Sequence, residues 1–303
     1  MKPVIGIVLA FQVASAAFIT NTAFAVTAGT EKSHAAVSMA VQDQYLEKLY
    51  THAKTTGVLQ ASLESRLDYF SKVFFGVRYL SGALGEGANA KIDKDPLYRF
   101  DAFDCTTYTE TVIALAKSNS PAEFRKNLMA IRYKNGQVGF YTRNHFTSLD
   151  WNKNNEKSGL LTDVTTQIAG SETWFKETVI EKNNWYRQQN LAADPSVPEK
   201  QTVTLAYISK EFLINSPDAL ATMPSGVVIN IVRKNWQVRE VIGTDLDISH
   251  QGIGIRNKDG VMMFRNASFR KGTEYVLEIP LRDYIQAQMN NDTWAGINVL
   301  KIK

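Results

Sequence analysis

The sequence predicts an α+β fold, on three observations. Apolar residues recur at helical spacing through the first part of the chain. Later segments are short runs rich in Val, Ile, Met and Phe. A strong hairpin signal, Asn257-Lys258-Asp259-Gly260, joins two of those runs as antiparallel neighbours.

The elements follow in order. Residues 1–25 read as a secretory signal, with Lys2 as the positive start, Val4 to Ile19 as the apolar stretch and Ala23-Phe24-Ala25 as a small-x-small cleavage site. Polar residues at Gln12, Ser15, Thr20, Asn21 and Thr22 leave that stretch short of the ~20 apolar residues a bilayer span needs. The expectation is therefore an exported protein, periplasmic or secreted, with no membrane insertion after cleavage. Residues 26–40 are expected as a flexible leader and 41–303 as a single domain. Tyr45, Leu49 and Tyr50, then Leu59, Leu63, Leu67 and Phe70, mark two helices broken at Thr55-Thr56-Gly57. Gly82, Gly85 and Gly87 form a glycine-rich loop that lacks the Gly-Lys-Ser/Thr of a phosphate loop; it suits a turn or a close approach to a ligand. Residues 104–117 form the clearest helix, capped by Asp101 or Asp104 and stopped at Ser118-Asn119-Ser120-Pro121, where Ser120-Pro121 opens the next. Residues 135–170 read as long loops with short strands, and Trp174 to Gln189 as an amphipathic helix or paired short elements. Strands are expected at 203–208, 227–232, 251–256, 261–265 and 297–302, with short helices from Ser209 and over 280–289.

Composition narrows the function. The 34 basic and 30 acidic residues of the 303 are interspersed, with a formal net charge of +4, so nothing argues for nucleic acid. A single cysteine, Cys105, excludes both a disulfide framework and a multi-cysteine zinc site, and the histidines and carboxylates form no metal-ligand spacing. No cofactor is called for, and oligomeric state is not legible. Cys105 reads either as a small buried hydrophobe or as a nucleophile. Its place at a helix N-terminus favours the second, since the unpaired N–H groups and the dipole there lower a thiol pKa and can receive an oxyanion.

A thiol nucleophile needs a base, and the chain has four histidines. His34 and His52 read as solvated surface residues. His250 opens a strand whose hairpin partner ends at Asn266, so the asparagine amide oxygen is expected to orient the imidazole, as in a Cys-His-Asn triad. His145 is the rival base, or a satisfied core histidine.

Phe103-Asp104-Cys105 at a helix start, followed by His250-Gln251-Gly252-Ile253-Gly254-Ile255 on a strand, resembles the NlpC/P60 cysteine peptidases. The chain is more closely similar to the DUF1460 family, through Gly76 to Gly82, Phe103 to Glu110, Ile131-Arg132-Tyr133, Arg143-Asn144-His145-Phe146 with Trp151, Asp163-Val164-Thr165 and His250 to Ser268. The resemblance implies a papain-like fold, with the cysteine helix packed on an antiparallel sheet, extra N-terminal helices and long groove-forming loops. It implies an N-acetylmuramoyl-L-alanine amidase acting on murein fragments. By the same resemblance Cys105 is the nucleophile, His250 the base, Asn266 the orienting residue (relatives often have histidine) and Tyr79 a hydroxyl near the nucleophile. Arg143, Asn144 and His145 are expected to line the substrate groove, with Arg143 suited to a peptide carboxylate. Two other readings stay open: an endopeptidase cutting between D-glutamate and diaminopimelate, and a catalytically silent murein-binding module.

Overall fold

The computed structural model describes residues 38–303. The expected signal and most of the expected leader lie outside the described residues. Helix α1 (Met39–Thr55) begins inside the span expected as leader. It stops where Gly57 adopts a left-handed φ of 76°, a conformation glycine reaches without steric cost. Helix α2 (Leu63–Lys72) opens with the Ser62 hydroxyl accepting from the Ser65 N–H. Strand β1 (Arg78–Tyr79) then pairs in parallel with β2 (Ala102–Phe103), which leads directly into α3 (Cys105–Ala116). Helix α4 (Pro121–Arg132) begins as expected, with Ser120 as its cap and proline in its first turn.

The stretch expected as loops folds into short ordered pieces: a π-helical turn over Thr147–Asn152, a helix over Lys153–Lys157, β3 (Leu161–Asp163) and a helix over Thr165–Ala169. Between Trp174 and Gln189 the paired elements form, β4 (Thr173–Ile180) and a helix over Lys182–Gln188. Next come β5 (Gln201–Ser209), β6 (Val227–Arg233), β7 (Ile248–Arg256), β8 (Met262–Ala267), β9 (Val276–Pro280) and β10 (Trp294–Ile302). A turn in which the Asn257 side chain accepts from the N–H groups of Asp259 and Val261 joins β7 to β8.

These strands form an antiparallel sheet in the order β4-β5-β10-β6-β7-β8-β9, with β3 pairing the far end of β10. Alternate residues divide between two cores. Val228, Ile253, Ile255, Ala267, Leu300 and Ile302 pack on the side of α1 to α4. Ile229, Ile231, Met262, Phe264, Ile297 and Val299 pack against short helices that include Leu213, Leu220 and Ile285. Both faces are covered, which is why β6 reads as a nearly unbroken apolar run.

Buried polar links lock the helices onto this sheet. Arg265 of β8 donates to the Asp68 carbonyl and the Ser71 hydroxyl of α2, and pairs with Glu278 of β9 at 2.6 Å. Glu110 of α3 accepts from Arg132 Nε of α4 at 2.7 Å and from Trp151 Nε1 at 3.0 Å. Burial pushes the Glu110 carboxyl upward, and Arg132 opposes that shift. Removing one member strands the other charge, so Arg132→Ala or Glu110→Ala should cost about 3–5 kcal/mol, whereas replacing both by Leu and Met should cost less than either. Urea unfolding of the three variants checks this; a double variant weaker than both singles would contradict it.

Candidate active site

The hydrogen bonds of a short parallel bridge, β1 on β2, set Tyr79 opposite Phe103, two residues before Cys105. Asp104 then caps α3: its carboxylate accepts from the Thr107 N–H at 2.8 Å while the Thr107 hydroxyl accepts from the Asp104 N–H at 3.0 Å. This capping box fixes Cys105 at the first helical position. The thiol is 4% exposed. Its sulfur lies 3.9 Å from the Thr106 hydroxyl, and the backbone N–H groups of Gln251 and Thr106 act on it electrostatically in favour of the thiolate.

Strand β7 brings the histidine. Ser249 is an extra residue in the pairing of β7 with β6, because Ile231 faces His250 and the next pair is Val232 with Ile248. Beyond that irregularity, His250 and Gln251 work on opposite sides of the sheet. His250 Nε2 is bonded to Asn266 Oδ1 of β8 at 3.0 Å. Gln251 Nε2 donates to the Thr106 hydroxyl at 3.0 Å. With the asparagine oxygen accepting, Nε2 carries the proton, and Nδ1 keeps a lone pair that has no partner. Gly252 lets β7 and β8 approach this closely: a Cβ there would meet the Arg265 carbonyl oxygen at 2.4 Å and Asn266 Cβ at 2.9 Å.

Cys105 and His250 line one cavity of about 160 Å³. Thr147 and Ser148 of the π-helical turn, Ile180, Trp185, Asp247 and Gln251 complete much of its wall. No hydrogen bond joins Sγ to the imidazole in this state. The electrostatics explain a neutral pair. Burial and then the Asp104 carboxylate push the thiol up to about 12, against the N–H groups of Gln251 and Thr106. Burial lowers the His250 imidazole to about 4, with Arg270 and Arg233 adding to that and the Asn266 bond opposing it. Burial first, and then the Asp104 carboxylate, oppose the lowering of the thiol pKa expected from the helix N-terminus.

Tyr79 lies within electrostatic reach of Cys105, and burial first, then the cysteine, raises its phenol. Its ring packs against Phe269 at 6.1 Å, and Phe269 meets the His250 ring edge-on at 5.4 Å. Phe269 was not legible as a site residue, nor was Gln251, whose main contribution is a backbone N–H.

The Arg-Asn-His segment is split. His145 lines the cavity, but its Nε2 is bonded to the Phe140 carbonyl at 2.7 Å, its ring is packed among Phe140 and Trp185, and burial lowers its pKa far below the usual range. Arg143 does not line the cavity. Its Nε donates to Glu86 at 2.7 Å, with further bonds to Asp93 and the Leu84 carbonyl. Asn144 is also spent internally, donating to the Ile131 carbonyl at 3.0 Å and accepting from Asn154 at 2.6 Å. The glycine-rich loop belongs to that same knot: a Cβ on Gly85 would collide with Asp93 at 2.4 Å, so the close approach there is to the protein itself. Among the described residues no group of histidine, cysteine and carboxylate side chains could hold a metal ion, and no helix is long and apolar enough to cross a membrane.

Residues 69–293 match the AmiA-like family, described as N-acetylmuramoyl-L-alanine amidase-like. A solved Legionella pneumophila protein of the DUF1460 family is 33% identical, over 87% of this chain and 95% of that one, with a TM-score of 0.79. An N-acetylmuramoyl-L-alanine amidase from Bacteroides uniformis is 23% identical, over 80% of this chain and 100% of that one, with a TM-score of 0.60, a likeness of fold. No curated protein of known function matches. With both the family match and the Legionella likeness spanning most of its length, this chain belongs to the AmiA-like (DUF1460) family of N-acetylmuramoyl-L-alanine amidase-like proteins.

Proposed function

We propose that this protein is an exported, periplasmic cysteine amidase that cleaves the amide between the lactyl group of N-acetylmuramic acid and L-alanine in murein fragments, anhydro-muropeptides among them. The observation that carries the reading is the shared cavity of Cys105 and His250, with Asn266 on Nε2 and a free lone pair on Nδ1. The family match to amidase-like proteins supports the bond chosen. The resemblance to papain-like NlpC/P60 enzymes supports the mechanism.

In this reading the resting pair is neutral. The thiol proton passes to His250 Nδ1 as sulfur attacks the carbonyl carbon, rather than beforehand. The new oxyanion is received by the N–H groups gathered at the start of α3, with the Tyr79 hydroxyl beside them. The Asn266 oxygen stabilises the imidazolium by accepting from Nε2–H. His250 then returns the proton to the leaving alanine nitrogen, and water hydrolyses the thioester with the same imidazole as base. Arg143 and Asn144 serve as braces for the wall of the site, not as ligands.

Cys105→Ser or His250→Ala should lower the cleavage of an anhydro-muropeptide by at least about 10³-fold. Mass spectrometry should find a free peptide beginning with alanine; a sugar retaining Ala-Glu would transfer the reading to the D-glutamyl endopeptidase, and near-parental activity in either variant would end it. The pH dependence has a definite sign. Below about 4 the His250 imidazole is protonated and cannot act as base, so kcat/KM should fall as acidity rises through that value. Arg270→Gln removes a positive neighbour that depresses His250, so on the same substrate its acid limb should lie at higher pH than that of the parent. Coincident limbs would show that another group titrates.

A further inference from the structure

The cavity beside Cys105 contains one carboxyl group, Asp247, and no lysine or arginine lines it. Asp247 stands immediately before β7, three residues from His250, and is 2% exposed. Its Oδ1 accepts from the buried Ser148 hydroxyl at 2.7 Å, and its Oδ2 makes no hydrogen bond. Neighbouring cations are elsewhere engaged or stand off. Arg233 Nε donates to the Ser249 hydroxyl at 2.9 Å, and Lys182 pairs with Asp150 at 3.0 Å. Lys176 of β4 acts on Asp247 only at a distance and forms no ion pair with it among the described residues. The two histidines of the lining are held neutral by burial.

Burial pushes this carboxyl upward, against Ser148 and the N–H groups of Asp247 and Ile248, and with no counter-charge beside it a cation entering the cavity would favour its ionised form. Phe146, Ile180, Ile242 and Leu246 give this wall much apolar surface, and Trp185 offers an indole to a cation. A peptide carboxylate would find no positive partner here, contrary to the role expected of Arg143. A primary ammonium on an aliphatic stem satisfies both the acid and the apolar lining.

We propose that Asp247, seated by Ser148, anchors a primary ammonium group on the peptide part of the substrate and so determines specificity at this site. Peptides that contain a diamino acid carry such a group. The proposal rests on the amidase reading for the identity of the substrate, though the contact itself does not depend on Cys105.

Calorimetry on the full chain carrying Cys105→Ala tests it without turnover. The probes are a muramyl peptide with a free side-chain amine on a diamino acid and the same compound acetylated on that amine. The free amine should bind at least about tenfold more tightly, and Asp247→Asn should cut that preference to about threefold or less; a shortfall on either count overturns the proposal. If Asp247→Asn does not fold, Ser148→Ala replaces it: releasing Oδ1 should reduce the preference at least about threefold, and an undiminished preference overturns the assignment. Hydrolysis by the unaltered enzyme is scored separately. Amine preference without lactyl–alanine cleavage would sink the amidase reading and leave the ammonium site standing; cleavage without amine preference would do the reverse.

Discussion

The site depends on the way one strand divides its attention between two faces of a sheet. His250 turns to β8, where Asn266 fixes its proton on Nε2. Gln251, the next residue, turns to α3, where its side chain bonds to Thr106 and its N–H acts electrostatically on the sulfur of Cys105. The pleat of β7 therefore ties the Cys105 helix to the strand of His250, with no hydrogen bond between thiol and imidazole. Everything upstream serves that coupling. The capping box sets Cys105 at the first turn, Arg265 and the Glu110–Arg132 pair hold the helices down, and Gly252 removes the side chain that would keep β8 away.

Burial decides the electrostatic character of the pair. A helix N-terminus stabilises an anion by a few tenths to about 1 kcal/mol near the surface, which is small beside the cost of placing a thiolate in an occluded site. The Asp104 carboxylate tips the balance further, because it places a negative charge beside the sulfur while accepting the Thr107 N–H. The same burial holds His250 deprotonated and hence ready to accept a proton. An uncharged pair is cheaper to keep in a partly apolar cavity than a thiolate–imidazolium pair.

Local chemistry made much of this legible in the sequence. Caps at Asp104 and Ser120, the break at Gly57 and the Asn257 turn all depend on neighbours within a few residues, and the structure places them where they were expected. The proximity of His250 and Asn266 was legible for the same reason, as the two ends of one hairpin. Strand β4 was half missed because it is an edge strand with few buried residues, and it leaves Trp174 and Phe175 exposed. The position of Arg143 was illegible because its partners, Glu86 and Asp93, come from a loop some fifty residues away. Gln251 escaped notice for a different reason: a backbone N–H is present at every residue but proline, so residue type cannot announce its use. Asp247 was invisible too, since only the fold reveals which carboxyl groups are left without a counter-charge.

Strand β10 has a consequence for assembly. It is the latest strand in the chain, yet it lies mid-sheet, flanked by β6 along its length and by β5 and β3 at its two ends. Until it inserts, β5 and β6 have no common neighbour and the two halves of the sheet cannot be stitched together. The sheet therefore stays open until the segment of β10 has been synthesised, a topology of high contact order and slow closure. Completion of the cavity beside Cys105 and completion of the sheet then become one cooperative event, so a copy clipped before β10 would carry its cysteine without the strands that enclose it.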